Sequence, residues 1–561
     1  ALFKPKQDYI FEIGLTPNRI DAMSHLGVAK DVCAFLSHQQ KKEVLPVFPY
    51  QQNLKPDSIS NKIAVSIENK DACKRYSGIS ISNITIAESP LWLQEKLKSI
   101  GLKPISNIVD ITNFILHETG QPLHAFDAGK IKGNKVIVRL AVDGELFTTL
   151  DGKERKLLAG DLLICDETEA MCIAGVYGGI KSGVTSETKN IFLESAWFNP
   201  AHIRVTSLKH ELRTDAAARF EKGTDISNTV NVLKRAALLI KEIAGGEISS
   251  EVIDVYPEPL QRTVIGLKNH YLKKLSGKNY HSESIKNLLK SLGFGIVKEG
   301  SDELWVDVPF SKPDITLPAD VVEEIMRIDG LDNIEIPETI SISPAVEKNQ
   351  EKYVQKEKLA NYLTGLGFHE IFTNSISNSK FYTESVLQSA VMMINSLSNE
   401  LNILRPQMLQ GGLQVIAHNN NRKNYNLRLF EFGKTYSTGP ENNYTETNHL
   451  TFYSSGNITD QDWSAKAIKT DYFYLKAVVE NTLALLGINR AIFEPANVTG
   501  FKNYTEVKIN NKVIAFLGEA DEATMKQFDL KMPVFYADIL WDELLALAKE
   551  KHIQYREVSK F

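Results

Sequence analysis

No stretch of about 18 uninterrupted apolar residues occurs in the 561-residue chain, so no membrane-spanning helix is expected. Cysteine is scarce. Cys33, Cys73, Cys165 and Cys172 show neither a C-x-x-C spacing nor a paired histidine motif, which removes the common zinc and redox patterns and fits free thiols in a reducing cytoplasm. A strong excess of one charge is also missing. With a net charge of -5 the chain is not a protein that binds nucleic acid over its whole surface, so any RNA contact is local or shared with another subunit. G-x-G-x-x-G, H-E-x-x-H and G-x-S-x-G are absent, which leaves dinucleotide oxidoreductases, zincins and serine hydrolases without support. The run Phe432, Gly433, Lys434, Thr435 hints at a phosphate loop, but the upstream glycine position is Arg428 and the segment lies in a strand pattern. An initiator Met and a signal peptide are lacking at ALFKPKQDYIFEIGL, and the chain stops abruptly at VSKF, so it reads as a fragment.

What is present is the composition of a soluble globular protein: 43% hydrophobic and 24% charged residues, at a length that suggests three to five domains. Ile20, Met23, Leu26, Ala29, Val32, Cys33 and Leu36 recur at helical spacing behind Asn18, a suitable cap, and predict a buried helix. VLPVFPYQQNLKPDSIS reads as a linker. From about 62 to 255, short β-like runs such as KIAVSI, YSGISISNITI, KVIVRL, DLLICD and NIFLES alternate with Gly, Asp and Asn turns, as in a mixed sheet with flanking helices. YPEPLQ is a second linker, followed by an amphipathic helix in SESIKNLLKSLGFGI and a strand pair ending at LWVDV. PETISISPAVEK is a third, and it opens an α+β region whose strands alternate as in antiparallel sheets.

The most telling segment is VDVPFSKPDITLPADVVEEIMRIDGLDNI. Pro318 suits a first helical turn and Thr316 a cap, so a helix should run from there to about Arg327. Asp320, Glu323 and Glu324 then share one face, with Asp314 just upstream, and like charges at that spacing repel. Two readings stay open: a cation or basic partner offsets them, or they form a solvated acidic first turn favoured by the helix dipole. His124 in GQPLHAFD and Glu194 in FLESAWF are likewise either ordinary structural residues or catalytic ones.

VPFSKPDI, the D-x-x-EE step and RIDGLDNI resemble the B5 domain of the bacterial phenylalanyl-tRNA synthetase beta subunit. LTPNRIDAMSHLGVAKDVCAFL resembles that subunit's first domain. VDITNFILHETGQPLHAFD, IAGVYGGIKSGVTSETKNIFLESAWFNPAHIR and LRTDAAARFEKGTD resemble its editing domain. INSLSNELNILRPQMLQGGLQVIAHNNNRKNYNLRLFEFGKTY resembles its catalytic-like module, and the four segments follow in the family's order over nearly the whole chain. The resemblance implies an α+β multidomain architecture. Residues 1–60 would be a remnant of the first domain with its linker, 61–258 a mixed-sheet B3/B4 editing domain, 262–336 a small B5 domain of winged-helix-like type, and 345–561 a degenerate class II synthetase antiparallel-sheet core. A tRNA-binding module before this point and an anticodon-arm module after it complete the family pattern.

By motif position, the resemblance implies that Lys103, Thr112, Asn113 and His124 face the terminal adenosine and the ester. Glu194 would sit near a tyrosyl hydroxyl, with Gly178 and Ala216 shaping the pocket. Where the family commonly has GLRP this chain has GLKP, so Lys103 keeps the charge and loses the bidentate fork. The implied reaction is hydrolysis of tyrosine wrongly esterified to phenylalanine tRNA. A pocket made for phenylalanine cannot strongly reject the same ring carrying a hydroxyl, whereas a second pocket that must pair that hydroxyl can spare the correct ester. Positioned water and electrostatic stabilisation suffice for an ester. Asp314, Asp320, Glu323 and Glu324 match the family's Mg²⁺ positions at the interface with the alpha subunit. ATP would be used at alpha, in an α2β2 assembly that handles phenylalanine tRNA. Arg405 is of the type that binds a triphosphate, yet no Arg-x-Glu pair, His lid or closing Gly-x-Gly-x-x-Arg accompanies it, so the last region is expected to serve assembly. The rival readings are a non-catalytic scaffold with a vestigial editing pocket and a self-sufficient ligase with ATP chemistry in residues 345–561.

Overall fold

In this computed structural model the described residues are 9–50, 54–339, 341–344, 350–440, 443–549 and 557–558; the linkers expected near 44–60 and 337–348 lie partly outside them. The chain divides into two compact units, Ala1–Ile340 and Ser341–Phe561. It is α+β and multidomain, with helices and sheets in both. Among the described residues no helix is long and apolar enough to cross a membrane.

The first unit is organised around two facing sheets. One is five-stranded, in the order Ala64–Ile67, Lys135–Leu140, Leu162–Cys165, Ala170–Ile173, Tyr177–Gly178. Its first pair is parallel and the others antiparallel. The second is antiparallel, in the order Glu247–Ile248, Cys73–Ser82, Ile191–Phe198, Leu123–Asp127, with Ile253–Val255 also pairing to Cys73–Ser82. Alternation along Ile191–Phe198 decides what each face of this second sheet meets. Phe192, Ala196 and Phe198 join Tyr76, Phe126, Val136, Val138 and Ile164 in the core between the sheets. Ile191 and Leu193 point the other way and pack with Ile108, Ile111 and Ile115 of the helix Asn107–Thr119 and with Val232, Leu233 and Ala236 of Thr229–Ala244. A strand that is apolar on both faces is what two covered faces demand.

A smaller sheet, ordered Val264–Lys268, Glu303–Asp307, Gly295–Glu299, packs with the helices Asn269–Ser276, Ser282–Ser291 and Pro318–Asp329. Ala34, from the helix His25–Gln40, is buried in the same core. Pro318 opens its helix at the first position, as its fixed φ favours. The expected Thr316 cap is corrected: Leu317 occupies the cap position, and Asp320, one turn in, accepts hydrogen bonds from the backbone N–H groups of Thr316 and Leu317, both at 2.8 Å. A carboxylate satisfies two orphan donors where a threonine hydroxyl satisfies one.

In the second unit a seven-stranded sheet runs His369–Glu370, Leu427–Thr438, Tyr444–Ser455, Val534–Leu540, Lys512–Ala520, Phe501–Ile509, Ile492–Pro495. Only its first pair is parallel. Helices Gln350–Gly365 and Tyr472–Leu485 contribute to one core against it and Leu409–Asn420 to another. The Phe432 to Thr435 run lies inside a strand, as its pattern predicted.

Candidate active site

Strand register brings His124 and Glu194 together. On the antiparallel pair Leu123–Asp127 and Ile191–Phe198, His124 stands directly opposite Glu194, and both belong to the alternating set that faces the core between the two sheets. Directly opposed side chains have Cβ atoms about 4.5–5.5 Å apart. Across the other edge of the same strand Glu194 faces Gly78. A side chain there is excluded, because a Cβ on Gly78 would lie 2.2 Å from the ring of Phe192.

Burial sets the chemistry of the pair. Glu194 is 4% exposed, and the hydroxyl of Tyr76 donates to its Oε2 at 3.1 Å. Desolvation outweighs that bond and pushes the Glu194 carboxyl up to about 8, so at neutral pH it is mostly a neutral acid. The Nε2 of His124 is enclosed and has no hydrogen-bond partner among the described residues, although part of the residue remains exposed. Desolvation pulls the imidazole down to about 4, so it too is neutral near pH 7. Its ring meets Phe126 edge-on, 4.5 Å between centroids. The Cβ missing at Gly178 would fall 3.0 Å from the His124 ring and 2.9 Å from Leu150, so glycine is what lets this strand close over the histidine.

Ala216 sits half-buried on the short helix Asp215–Phe220, beside Ala217 and Phe220 of the inter-sheet core. Thr214 caps that helix, accepting from the N–H of Ala217, while its own hydroxyl donates to the carbonyl of Val176 at 3.0 Å. This tie holds the Ala216 helix next to the Tyr177–Gly178 strand. Thr112 and Asn113 are placed differently. Their helix packs through Ile108, Ile111 and Ile115 on the other face of the sheet, and the Thr112 hydroxyl turns back to the carbonyl of Val109. Lys103 is exposed on the segment leading into that helix. His124, Glu194 and Gly178 thus share the inter-sheet side, with Ala216 on the helix beside it, while Thr112 and Asn113 lie on the helix that covers the sheet's other face and Lys103 on the exposed segment leading into that helix. Tyr76 was missed by the sequence reading. The alternation in YSGISIS places Tyr76 and Gly78 on one face, but nothing in it tells which strand lies alongside.

The four acidic positions do not converge. Asp314 is exposed and accepts from Nδ2 of Asn18 at 2.9 Å, Asp320 is spent on the helix start, and Glu323 is exposed. Glu324 is buried at 6% exposure inside a closed ring of alternating charge. Lys312 Nζ reaches Glu324 at 2.8 Å and Asp21 at 2.6 Å. Asp21 meets Arg19 at 2.9 Å, Arg19 meets Asp31 at 2.6 Å, Asp31 meets Arg327 at 2.8 Å, and Arg327 returns to Glu324 at 3.0 Å. Burial alone would raise the Glu324 carboxyl, but Arg327 and Lys312 prevail and hold it below its ordinary value. The positive partner that the acidic face calls for is supplied, at Glu324, by the chain itself. Among the described residues no group of three or more His, Cys, Asp or Glu side chains is placed to hold a metal ion, so the four carboxylates do not fit a cage of direct ligands.

In the second unit, Arg405 is 4% exposed and bound to Glu431 at 3.0 Å, to Thr373 Oγ1 at 2.6 Å and to the carbonyl of Lys434 at 2.7 Å. His449 bridges Asp538 at 2.7 Å and Thr435 at 2.8 Å.

Three family models match the chain: B3/4 domain over residues 72–245, tRNA synthetase B5 domain over 265–331, and phenylalanyl tRNA synthetase beta chain CLM domain over 336–541. The phenylalanine–tRNA ligase beta subunit of Bacteroides fragilis (strain YCH46) is 41% identical over 574 residues, covering 100% of this chain and 70% of the relative. That of Bacteroides thetaiotaomicron is 42% identical, covering 99% and 70%. That of Carboxydothermus hydrogenoformans is 37% identical, again covering 99% and 70%. The chain therefore belongs to the phenylalanine–tRNA ligase beta subunit family: it is a ligase subunit, and His124 and Glu194 lie inside its B3/4 editing domain.

Proposed function

We propose that the B3/4 domain hydrolyses tyrosine wrongly esterified to phenylalanine tRNA, while an alpha subunit holds ATP and activates phenylalanine. The observation that carries this reading is the opposed pair of Glu194 and His124, two polar groups desolvated on an otherwise apolar face. A neutral carboxyl group both donates and accepts, so Glu194 can pair with a tyrosyl hydroxyl without bringing a charge to the aromatic ring. A phenylalanyl ring leaves that carboxyl unpaired, at about 1–3 kcal/mol, or roughly five- to 150-fold in affinity. His124 keeps one ring nitrogen free of protein partners and is too weakly basic to deprotonate water strongly, so its role is to orient the ester or the attacking water by hydrogen bonding. Gly178 leaves room beside the His124 ring, and Ala216 is assigned to the wall of the same space. Lys103, Thr112 and Asn113 take the terminal adenosine from the helix Asn107–Thr119 and the segment leading into it.

The second unit serves as a degenerate class II core that assembles with alpha in an α2β2 enzyme of the cytoplasm. Exposed apolar side chains such as Phe372, Ile394, Leu397 and Trp463 are what an assembly surface supplies. Mg²⁺, if carried at the acidic helix start, draws on ligands from alpha, with Glu323 and Asp314 as this chain's accessible contributors. The test is deacylation of tyrosyl- and phenylalanyl-tRNA by the assembled enzyme. The first ester is cleaved and the second largely spared, and Ala216→Trp, which fills the pocket, stops cleavage. Equal rates for variant and wild type would place the pocket elsewhere, and no cleavage by either would leave the chain a scaffold.

A further inference from the structure

Resting on the editing reading above, we propose that Tyr76 is a positioning residue for tyrosine recognition: its phenol anchors one carboxyl oxygen of Glu194, so that the other is held toward the tyrosyl hydroxyl of the ester.

The carboxyl group of a glutamate has three rotatable bonds behind it, and a recognition group that swings freely discriminates poorly. Glu194 has one hydrogen-bond partner among the described residues, and it is Tyr76. Tyr76 is itself enclosed by packing: it is 0% exposed, belongs to the inter-sheet core, and lies on the strand Cys73–Ser82 next to that of Glu194. Register makes the bond diagonal. Glu194 faces Gly78, and Tyr76 faces Ala196 two residues along, a separation that an aromatic side chain can span. Gly78 contributes no side chain to the space between them, so no other group on that strand competes for the carboxyl. Because Oε2 accepts the phenolic proton, it is Oε1, or a hydroxyl formed there, that remains to meet substrate. Specificity then depends on a residue that never touches the reacting ester. Without the anchor, Glu194 can turn aside and bind water when a phenylalanyl ring is present, which removes the penalty that protects the correct ester.

The experiment uses the enzyme assembled with its alpha subunit and phenylalanine tRNA charged with tyrosine or phenylalanine. Tyr76→Phe keeps the ring and removes the hydroxyl. The ratio of kcat/KM for the tyrosyl over the phenylalanyl ester is expected to fall about tenfold or more, the size of one lost hydrogen bond to a buried group. In a Glu194→Ala background the same substitution should leave the ratio unchanged, because nothing remains to be positioned. That background also provides a measurable protein should Tyr76→Phe alone fold poorly, since removing both partners leaves no unpaired buried group. A ratio within twofold of wild type for Tyr76→Phe, while wild type edits normally, would overturn the role of Tyr76 alone. An equal loss in both backgrounds would show that the phenol acts by packing and would overturn it too. Failure of wild type to cleave tyrosyl-tRNA would overturn the editing reading and this one together.

Discussion

Glu194→Gln should flatten the alkaline side of the stability profile. A glutamate whose carboxyl is pushed up to about 8 from an ordinary 4.5 binds its proton more tightly folded than unfolded. Its raised pKa therefore favours folding fully below pH 4.5, and that contribution drains away as pH rises through 8. Linkage across this gap gives a loss of about 2 to 3 kcal/mol between pH 6 and pH 9 from this one group. For a unit of this size that is a drop of roughly 3 to 4 °C in Tm. Glutamine has nearly the same shape, stays neutral, and keeps a carbonyl oxygen for the Tyr76 hydroxyl. The measurement is thermal unfolding of the first unit's transition at both pH values for wild type and variant, taking the difference of the two differences so that all other titrating groups cancel. Wild type should lose the stated amount more than Glu194→Gln. Identical pH responses would mean that Glu194 is ionised in the folded protein, and the neutral recognition group invoked for editing would not exist.

His124→Ala should slow deacylation of tyrosyl-tRNA about ten- to a hundredfold with little change in KM, as positioning effects commonly do; an unchanged rate would return His124 to a packing role. Lys312→Met should destabilise the first unit by about 1 to 3 kcal/mol, because Asp21 and Glu324 lose their shared cation while each keeps an arginine, and a denaturant titration that shows less than ~0.5 kcal/mol would refute the closed ring. Glu323→Gln should weaken the Mg²⁺ dependence of assembly with alpha while leaving the Tm of the isolated chain unchanged, since Glu323 is exposed; superimposable Mg²⁺ titrations would make the acidic start a solvated helix turn.

What the sequence disclosed and what it hid follow from the range of the physics. Pro318 marks a helix start because its restriction is local, and the strand around Phe432 is legible because alternation is local. The Thr316 cap failed because the helix starts one residue later, with Pro318 at its first position and the Asp320 carboxylate reaching back to the N–H groups of Thr316 and Leu317. The charge ring was beyond reach, since Asp21 and Lys312 are 291 positions apart and nothing in either neighbourhood names the other. His124 and Glu194 could be picked out by motif, but their opposition depends on strand register, which a sequence does not display. Tyr76 had no motif to flag it and emerges only from the pairing of Cys73–Ser82 with Ile191–Phe198.

The buried network of the second unit bears on the proposal that nucleotide chemistry lies elsewhere. Arg405 has the residue type that grips a triphosphate, yet its guanidinium is already bound to Glu431, Thr373 and the Lys434 carbonyl, with little of it exposed. Were Arg405 to leave Glu431 for a phosphate, a carboxylate would stay buried without its cation, a cost of about 3 to 5 kcal/mol. That cost equals a loss of roughly two to four orders of magnitude in affinity, before the phosphates gain anything. His449 is committed in the same way between Asp538 and Thr435. A sheet whose polar side chains are spent on one another keeps its shape without a ligand, in keeping with the assembly role proposed above for this unit.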